Sequence, residues 1–268
     1  MRFLEAGRQA GQPPLLLIHG LLGYSFSWRF NVAELARERQ VLAVDLPGVG
    51  FSERSNALDC CMGCIAGRLH EFLRDRGEQE FDLLGTSHGG GVAILLAAMA
   101  RETAPRIRRL VLSAPVNPWS PHGRVITRLL ATRVGAGVFR CCEPLIKSTH
   151  DFALRRMYGN PSRIVPGTLE GYREPLSVPG TLEHVLRIVK SWHKDLAEVE
   201  AALGKISDVP TLLLWGARDD AVLPRSAEKL RAKFRNAELV VFGDAGHLPY
   251  EEVPEQFNRA VGEFLRRL

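Results

Sequence analysis

The ten residues from Asp82 to Gly91, Asp-Leu-Leu-Gly-Thr-Ser-His-Gly-Gly-Gly, constrain the fold more than any other part of the chain. A short apolar run ends in Gly85-Thr86-Ser87-His88-Gly89, and a small-residue helix, Val92 to Ala100, follows at once. That order puts Ser87 on a sharp strand-to-helix turn in a strained backbone conformation. Glycine flanks it at 85 and 89 because side chains there would collide with the adjoining strand and helix. The turn raises the Ser87 hydroxyl above the sheet and aims a helix N-terminus at the same point. A serine presented in this way is a candidate nucleophile.

The rest of the chain supplies a sheet for such a turn. Apolar runs recur at Leu15–Ile18, Val41–Leu46, Phe81–Leu84, Leu110–Leu112, Thr211–Trp215 and Leu239–Phe242. They are apolar at nearly every position, the pattern of strands buried on both faces of a parallel sheet. At most one short strand, around Arg2–Ala6, precedes them. The segments between read as helices: Trp28 to Arg39, Leu58 to Arg76, Gly91 to Arg101, Ser226 to Phe234 and Pro254 to Leu268. The last puts Phe257, Val261, Phe264 and Leu265 on one stripe. A doubly wound, mostly parallel α/β sheet follows. Residues 1–115 and 208–268 form its core. Residues 116–207 break the rhythm with helical segments at Arg124–Thr132, Pro144–Tyr158 and Thr181–Leu203 and no clear strand. The segment is too long for a plain loop and is expected to be an inserted helical cap.

A serine at its ordinary pKa needs a base within reach, and the base needs an orienting acid. Asp219 follows the strand Thr211–Trp215 and reaches the sheet edge where ligands bind in open α/β sheets; Asp220 competes for the role. Of eight histidines, only His247 combines a loop after a strand, a preceding glycine and a position C-terminal to the acid. Ser87, Asp219 and His247 then run in nucleophile–acid–base order. Attack on a carbonyl also requires donors for the developing oxyanion. The backbone N–H groups of His88, directly after the nucleophile, and of Leu21, in His19-Gly20-Leu21-Leu22-Gly23, are the candidates.

Composition narrows the alternatives. The 268 residues are 46% hydrophobic and 24% charged, as in soluble globular proteins. No apolar stretch is long enough for a signal peptide or a membrane span, so a cytoplasmic location without stable membrane insertion is expected. The net charge is +5, and the stretch from Pro118 to Lys205 carries 13 Lys/Arg against 8 Asp/Glu. No basic run interleaves with aromatics, so nucleic acid is not an expected partner. Cys61-x-x-Cys64 has the form of half a zinc site or a redox pair, but no second ligand pair accompanies it. The five cysteines are read as ordinary thiols, with no metal and no cofactor.

Together these segments resemble the α/β-hydrolase superfamily, in its serine-nucleophile, esterase- and lipase-like branch with a helical cap. The resemblance rests on His19-Gly20, Asp45-Leu46-Pro47-Gly48-Val49-Gly50-Phe51-Ser52, Gly85 to Gly90, Trp215-Gly216-Ala217-Arg218-Asp219 and Gly246-His247-Leu248-Pro249. It covers nearly the whole chain outside the cap. Relatives that are haloalkane dehalogenases or epoxide hydrolases use an aspartate nucleophile, whereas position 87 is serine. The C–C hydrolases often carry tryptophan after the catalytic histidine, where this chain has Leu248. Proline iminopeptidases usually have tryptophan after the nucleophile, where this chain has His88.

The resemblance implies hydrolysis of a carboxylic ester or related small acyl compound through an acyl-enzyme. Activity is then expected to fall below about pH 6 to 7, the ordinary imidazole range. An alternative is C–C cleavage of a dienoic keto-acid by the same residues, with Arg124, Arg128, Arg155, Arg156 and Arg187 as candidates to hold its carboxylates. An alternative of another class is a non-catalytic ligand sensor on the same fold. Val125, Ile126, Leu129, Leu130, Val138, Phe139, Phe152, Leu154, Tyr158, Leu186 and Trp192 are candidates to line the cap side of the pocket, although any one of them can instead pack the cap. Oligomeric state is not legible in the sequence.

Overall fold

In a computed structural model, which describes residues 1–8, 11–55, 57–120 and 124–267, seven strands form one sheet. The strands are β1 (Phe3–Ala6), β2 (Leu15–Ile18), β3 (Val41–Val44), β4 (Glu80–Thr86), β5 (Arg106–Ser113), β6 (Thr211–Gly216) and β7 (Ala237–Phe242). Their order is β1-β3-β2-β4-β5-β6-β7. Every pairing is parallel except β1 with β3. Alternate residues of the inner strands feed two separate cores. Leu16, Ile18, Leu83, Leu110, Leu112 and Leu213 pack on one face; Leu15, Leu17, Leu84, Val111, Leu212 and Leu214 pack on the other. Burial on both faces is what makes these strands apolar throughout.

Eleven helices surround the sheet among the described residues: α1 (Val32–Leu35), α2 (Met62–Asp75), α3 (Ser87–Met99), α4 (Arg124–Ala131), α5 (Arg133–Cys141), α6 (Glu143–Met157), α7 (Thr168–Arg173), α8 (Thr181–Leu203), α9 (Ala227–Arg231), α10 (Pro249–Glu252) and α11 (Pro254–Arg266). α3 is apolar around its whole circumference and buried from His88 to Ala98, because it lies between the sheet and the helices α2 and α8. α11 buries Phe257, Val261, Phe264 and Leu265 against the opposite sheet face.

Between β5 and β6 the described residues form only helices, α4 to α8 with short 3-10 turns; residues 121–123 of this excursion lie outside the described residues. Two local expectations change. The helix expected from Trp28 to Arg39 is a 3-10 turn at Ser25–Trp28 followed by one turn of α-helix. The reason is tertiary: Trp28 is fully buried, and the Asn31 amide bonds inward to the Tyr250 carbonyl and to Asn258. α5, which contains Gly135 and Gly137, forms because Thr132 caps it, accepting from the Gly135 N–H at 3.0 Å.

Candidate active site

The turn between β4 and α3 takes the expected form. Ser87 has φ 51°, a left-handed conformation that a residue with a Cβ adopts only at a cost. Tight packing enforces it. A Cβ at Gly85 would lie 2.5 Å from the Gly89 carbonyl oxygen, and one at Gly89 would lie 2.2 Å from that of His19. The Ser87 carbonyl accepts from Val116 N–H at 2.9 Å, tying the turn to the segment after β5.

β6 and β7 deliver the other two residues. Asp219 is buried and Asp220 exposed, which separates the two competing carboxylates. Asp219 Oδ1 accepts from the N–H groups of Ala221 and Val222, both at 2.8 Å. Its Oδ2 accepts from His247 Nδ1 at 2.8 Å. That bond assigns the histidine proton to Nδ1 and leaves the Nε2 lone pair for a reacting group. Ser87 and His247 both face one cavity of about 440 Å³, within the ~300–1,000 Å³ typical of small-molecule sites.

The loop after β2 forms another wall of this cavity through Gly20, Leu21, Leu22 and Gly23. His19, just before it, is fully buried and holds it in place. Its Nε2 accepts from Leu46 N–H at 2.9 Å, so Nδ1 carries the proton and donates to the Gly20 carbonyl at 2.8 Å. Burial lowers the pKa of His19, outweighing the Gly20 bond and Asp45, and keeps the ring neutral in this role. Asp45 fixes the neighbouring loop by accepting from Ser25 N–H at 2.8 Å and Phe51 N–H at 2.9 Å. Burial pushes its pKa up, but these bonds prevail and hold it below the usual carboxylate range.

The His88 side chain points away from proton chemistry. Its ring stacks near Trp192 with centroids 5.9 Å apart, and its Nε2 is buried without a hydrogen-bond partner among the described residues. Burial, and then the nearby His19, lower its pKa to about 3, so it is neutral at any ordinary pH.

Two residues with no signal in the sequence, Glu252 and Glu251, tie α10 to the segments around it, and the first of them holds the histidine loop. Glu252 accepts from Gly246 N–H at 2.7 Å, and also from Gly159 and Asn160 N–H at 3.1 and 3.0 Å. Its neighbour Glu251 accepts from Arg29 at 2.6 Å, from Tyr158 OH at 2.6 Å and from Tyr172 OH. The His247 N–H itself donates to the Met157 carbonyl at 2.7 Å. The loop that presents His247 is therefore fastened to the C-terminal end of α6.

The remaining cavity wall is largely apolar. The excursion contributes Ile126, Leu130, Leu154, Val185, Val189 and Trp192, and the core adds Val222 and Leu248. Of the candidate pocket residues, Ile126, Leu130, Leu154 and Trp192 line it, while Val125, Leu129, Val138 and Phe152 are exposed at the surface. Arg124, Arg128, Arg155, Arg156 and Arg187 do not line it.

Away from the cavity, Asp59, Cys61 and Cys64 bring a carboxylate oxygen and two sulfurs within 4.8 Å of one another at the start of α2. Cys61 caps that helix, accepting from Cys64 N–H at 3.1 Å, and Asp59 accepts from Cys61 N–H at 3.0 Å. All five cysteines are free thiols. No described helix is long and apolar enough to cross a membrane.

A strained serine at the head of a helix, a histidine oriented by a buried aspartate and a seven-stranded, mostly parallel sheet are features of hydrolytic enzymes of one large fold class. The match of residues 15–260 to the alpha/beta hydrolase family model establishes that the chain belongs to that family. Among curated relatives, a pimeloyl-[acyl-carrier protein] methyl ester esterase from Nitrosomonas europaea is 27% identical over 257 residues, 91% of this chain and 92% of that protein. A 2-hydroxymuconate semialdehyde hydrolase from a Pseudomonas species is 28% identical over 269 residues, 94% of this chain and 86% of that protein. Among solved structures, a thermophilic esterase from Thermogutta terrifontis superposes with a TM-score of 0.81 at 27% identity, covering 99% of this chain and 92% of that one.

Proposed function

We propose that the protein is a serine hydrolase that cleaves a small carboxylic ester, or a related acyl compound, through an acyl-enzyme. The observation that carries this reading is the shared cavity of Ser87, at φ 51°, and His247, whose other ring nitrogen is held by Asp219 at 2.8 Å. His247 Nε2 takes the Ser87 proton as the Ser87 oxygen attacks the carbonyl carbon. The backbone N–H groups of Leu21 and His88 receive the oxyanion. Asp219 keeps the imidazole in the required tautomer and stabilises the imidazolium. His247 then protonates the leaving alcohol, and deacylation repeats the sequence with water as nucleophile. Residues 116–207 act as a cap that roofs the cavity and selects the substrate.

The cavity wall supports an uncharged, apolar acyl or alkoxy group. The competing C–C cleavage of a keto-acid calls for cations near the substrate carboxylates. The five arginines available for that task lie off the cavity wall, which favours the ester.

Hydrolysis of p-nitrophenyl esters from acetate to palmitate, with Ser87→Ala alongside, tests the reading. The expected result is activity with the native serine and a loss of at least ~1,000-fold in kcat with alanine. Labelling of Ser87 by a fluorophosphonate without turnover of any ester would redirect the reaction to another acyl or C–C substrate. Absence of both would favour the sensor alternative.

A further inference from the structure

Large apolar side chains left exposed are concentrated on three adjoining helices. α4 presents Val125 and Leu129, α5 presents Val134 and Val138, and α6 presents Leu145 and Phe152. Val134 is 77% exposed and Phe152 65%. Within each helix the pair is four or seven residues apart and so shares a face. α4 packs on α5, and α5 on α6. This surface continues into the catalytic cavity: Ile126 is 53% exposed and also lines the cavity, as do Leu130 and Ala153.

The same stretch is strongly basic. Residues 124–157 contain seven Lys/Arg against two Asp/Glu, an excess equal to the net charge of the whole chain. Arg128, Arg133 and Arg155 are exposed and have no ion-pair partner among the described residues. Arg156 lies 5.9 Å from the Phe152 ring centroid, so its charged head borders the apolar stripe.

We propose that this α4–α6 face docks on an anionic lipid surface. Apolar side chains flanked by arginines suit the boundary between headgroups and acyl chains, where phosphates take the cations and the apolar stripe sinks below them. A second copy of the chain suits the face less well, because a two-fold contact would set the same basic patch against itself. Docking there sets Ile126, which is exposed and also lines the cavity, against a source of apolar substrates. The proposal concerns binding alone and stands whichever bond the enzyme cleaves.

The test is co-sedimentation of the full chain carrying Ser87→Ala with vesicles of phosphatidylcholine, alone or mixed one to one with phosphatidylglycerol. Binding to the mixed vesicles is expected to be at least roughly tenfold tighter and to weaken with salt. Val134→Asp with Val138→Asp, and separately Arg128→Glu with Arg133→Glu, are each expected to weaken it about tenfold or more. All four positions are exposed, so circular dichroism should be unchanged, as should hydrolysis of a water-soluble ester by the Ser87 forms. No binding to the anionic vesicles, or binding that both double variants leave intact, overturns the proposal. So does a dimer in sedimentation velocity that Val134→Asp with Val138→Asp dissociates, which would give the face to a second copy.

Discussion

Ser87 carries a backbone cost at the position where the proposed chemistry needs its hydroxyl. Alanine removes the hydroxyl but keeps the Cβ that resists φ 51°; glycine removes both. Both variants are expected to be inactive, with Ser87→Gly more stable than Ser87→Ala by about 1 kcal/mol in urea unfolding. Equal stability would mean that the turn holds no strain. Asp195 offers a second residue-scale test. It is fully buried on α8, with the Ser191 hydroxyl donating to it at 2.6 Å. Burial raises its pKa from 3.8 to about 6 despite the Ser191 bond. The folded state thus binds this proton more tightly than the unfolded chain does. Its contribution is fully favourable below pH 4 and is lost as pH rises through 6. Above pH 7 the ionised group weighs against folding by about 3 kcal/mol. Asp195→Asn should raise the melting temperature at pH 8, and the gain should vanish near pH 4. An equal gain at both pH values would assign the effect to packing.

At the scale of elements, the loop bearing His247 depends on Glu252. Glu252→Ala leaves three N–H groups without their acceptor and frees the loop from Gly159 and Asn160. We expect kcat to fall about 10- to 100-fold with little change in KM. Glu252→Gln, which keeps a carbonyl acceptor, should recover much of the loss; a purely structural role would move the melting temperature and leave kcat in place. These contacts also mark where the sequence stops being legible. The turn at Ser87 could be read because its constraint is local: glycines two residues either side allow the close approach. The pairing of Asp219 with His247 could be anticipated because each follows an apolar strand by a few residues. Glu251 and Glu252 look like any surface pair, and partners such as Arg29 and Tyr158 for Glu251 and Gly159 and Asn160 for Glu252 are more than 90 residues away. The break in the helix expected from Trp28 to Arg39 has the same origin, since Asn31 finds its buried partners in α10 and α11.

For the whole molecule, the sheet follows from strands that are apolar at every position, and the excursion from the absence of such strands between β5 and β6. Which side of each excursion helix faces the cavity did not follow. α4 is amphipathic, yet it turns Ile126 and Leu130 to the cavity and leaves Val125 and Leu129 in solvent. Periodicity identifies an apolar face but not its partner. The cavity volume sets a testable limit on the substrate. Val189 lines it from α8, and Val189→Phe should shift the preferred p-nitrophenyl ester to a shorter acyl chain, with acetate hydrolysis falling by less than about threefold. An unchanged chain-length profile would show that the acyl group lies elsewhere.

The carboxylate of Glu252 bridges the histidine loop and the segment after α6. Because Gly246, Gly159 and Asn160 share it, and Met157 holds the His247 amide, displacing the end of α6 also displaces the imidazole from Ser87. An enzyme that admitted ligands by swinging α6 outward would disarm itself at each turnover and have to rebuild its proton relay before the next. Exchange that leaves α6 in place would keep the proposed relay assembled, so on that reading substrate exchange and chemical competence can coexist in one conformation.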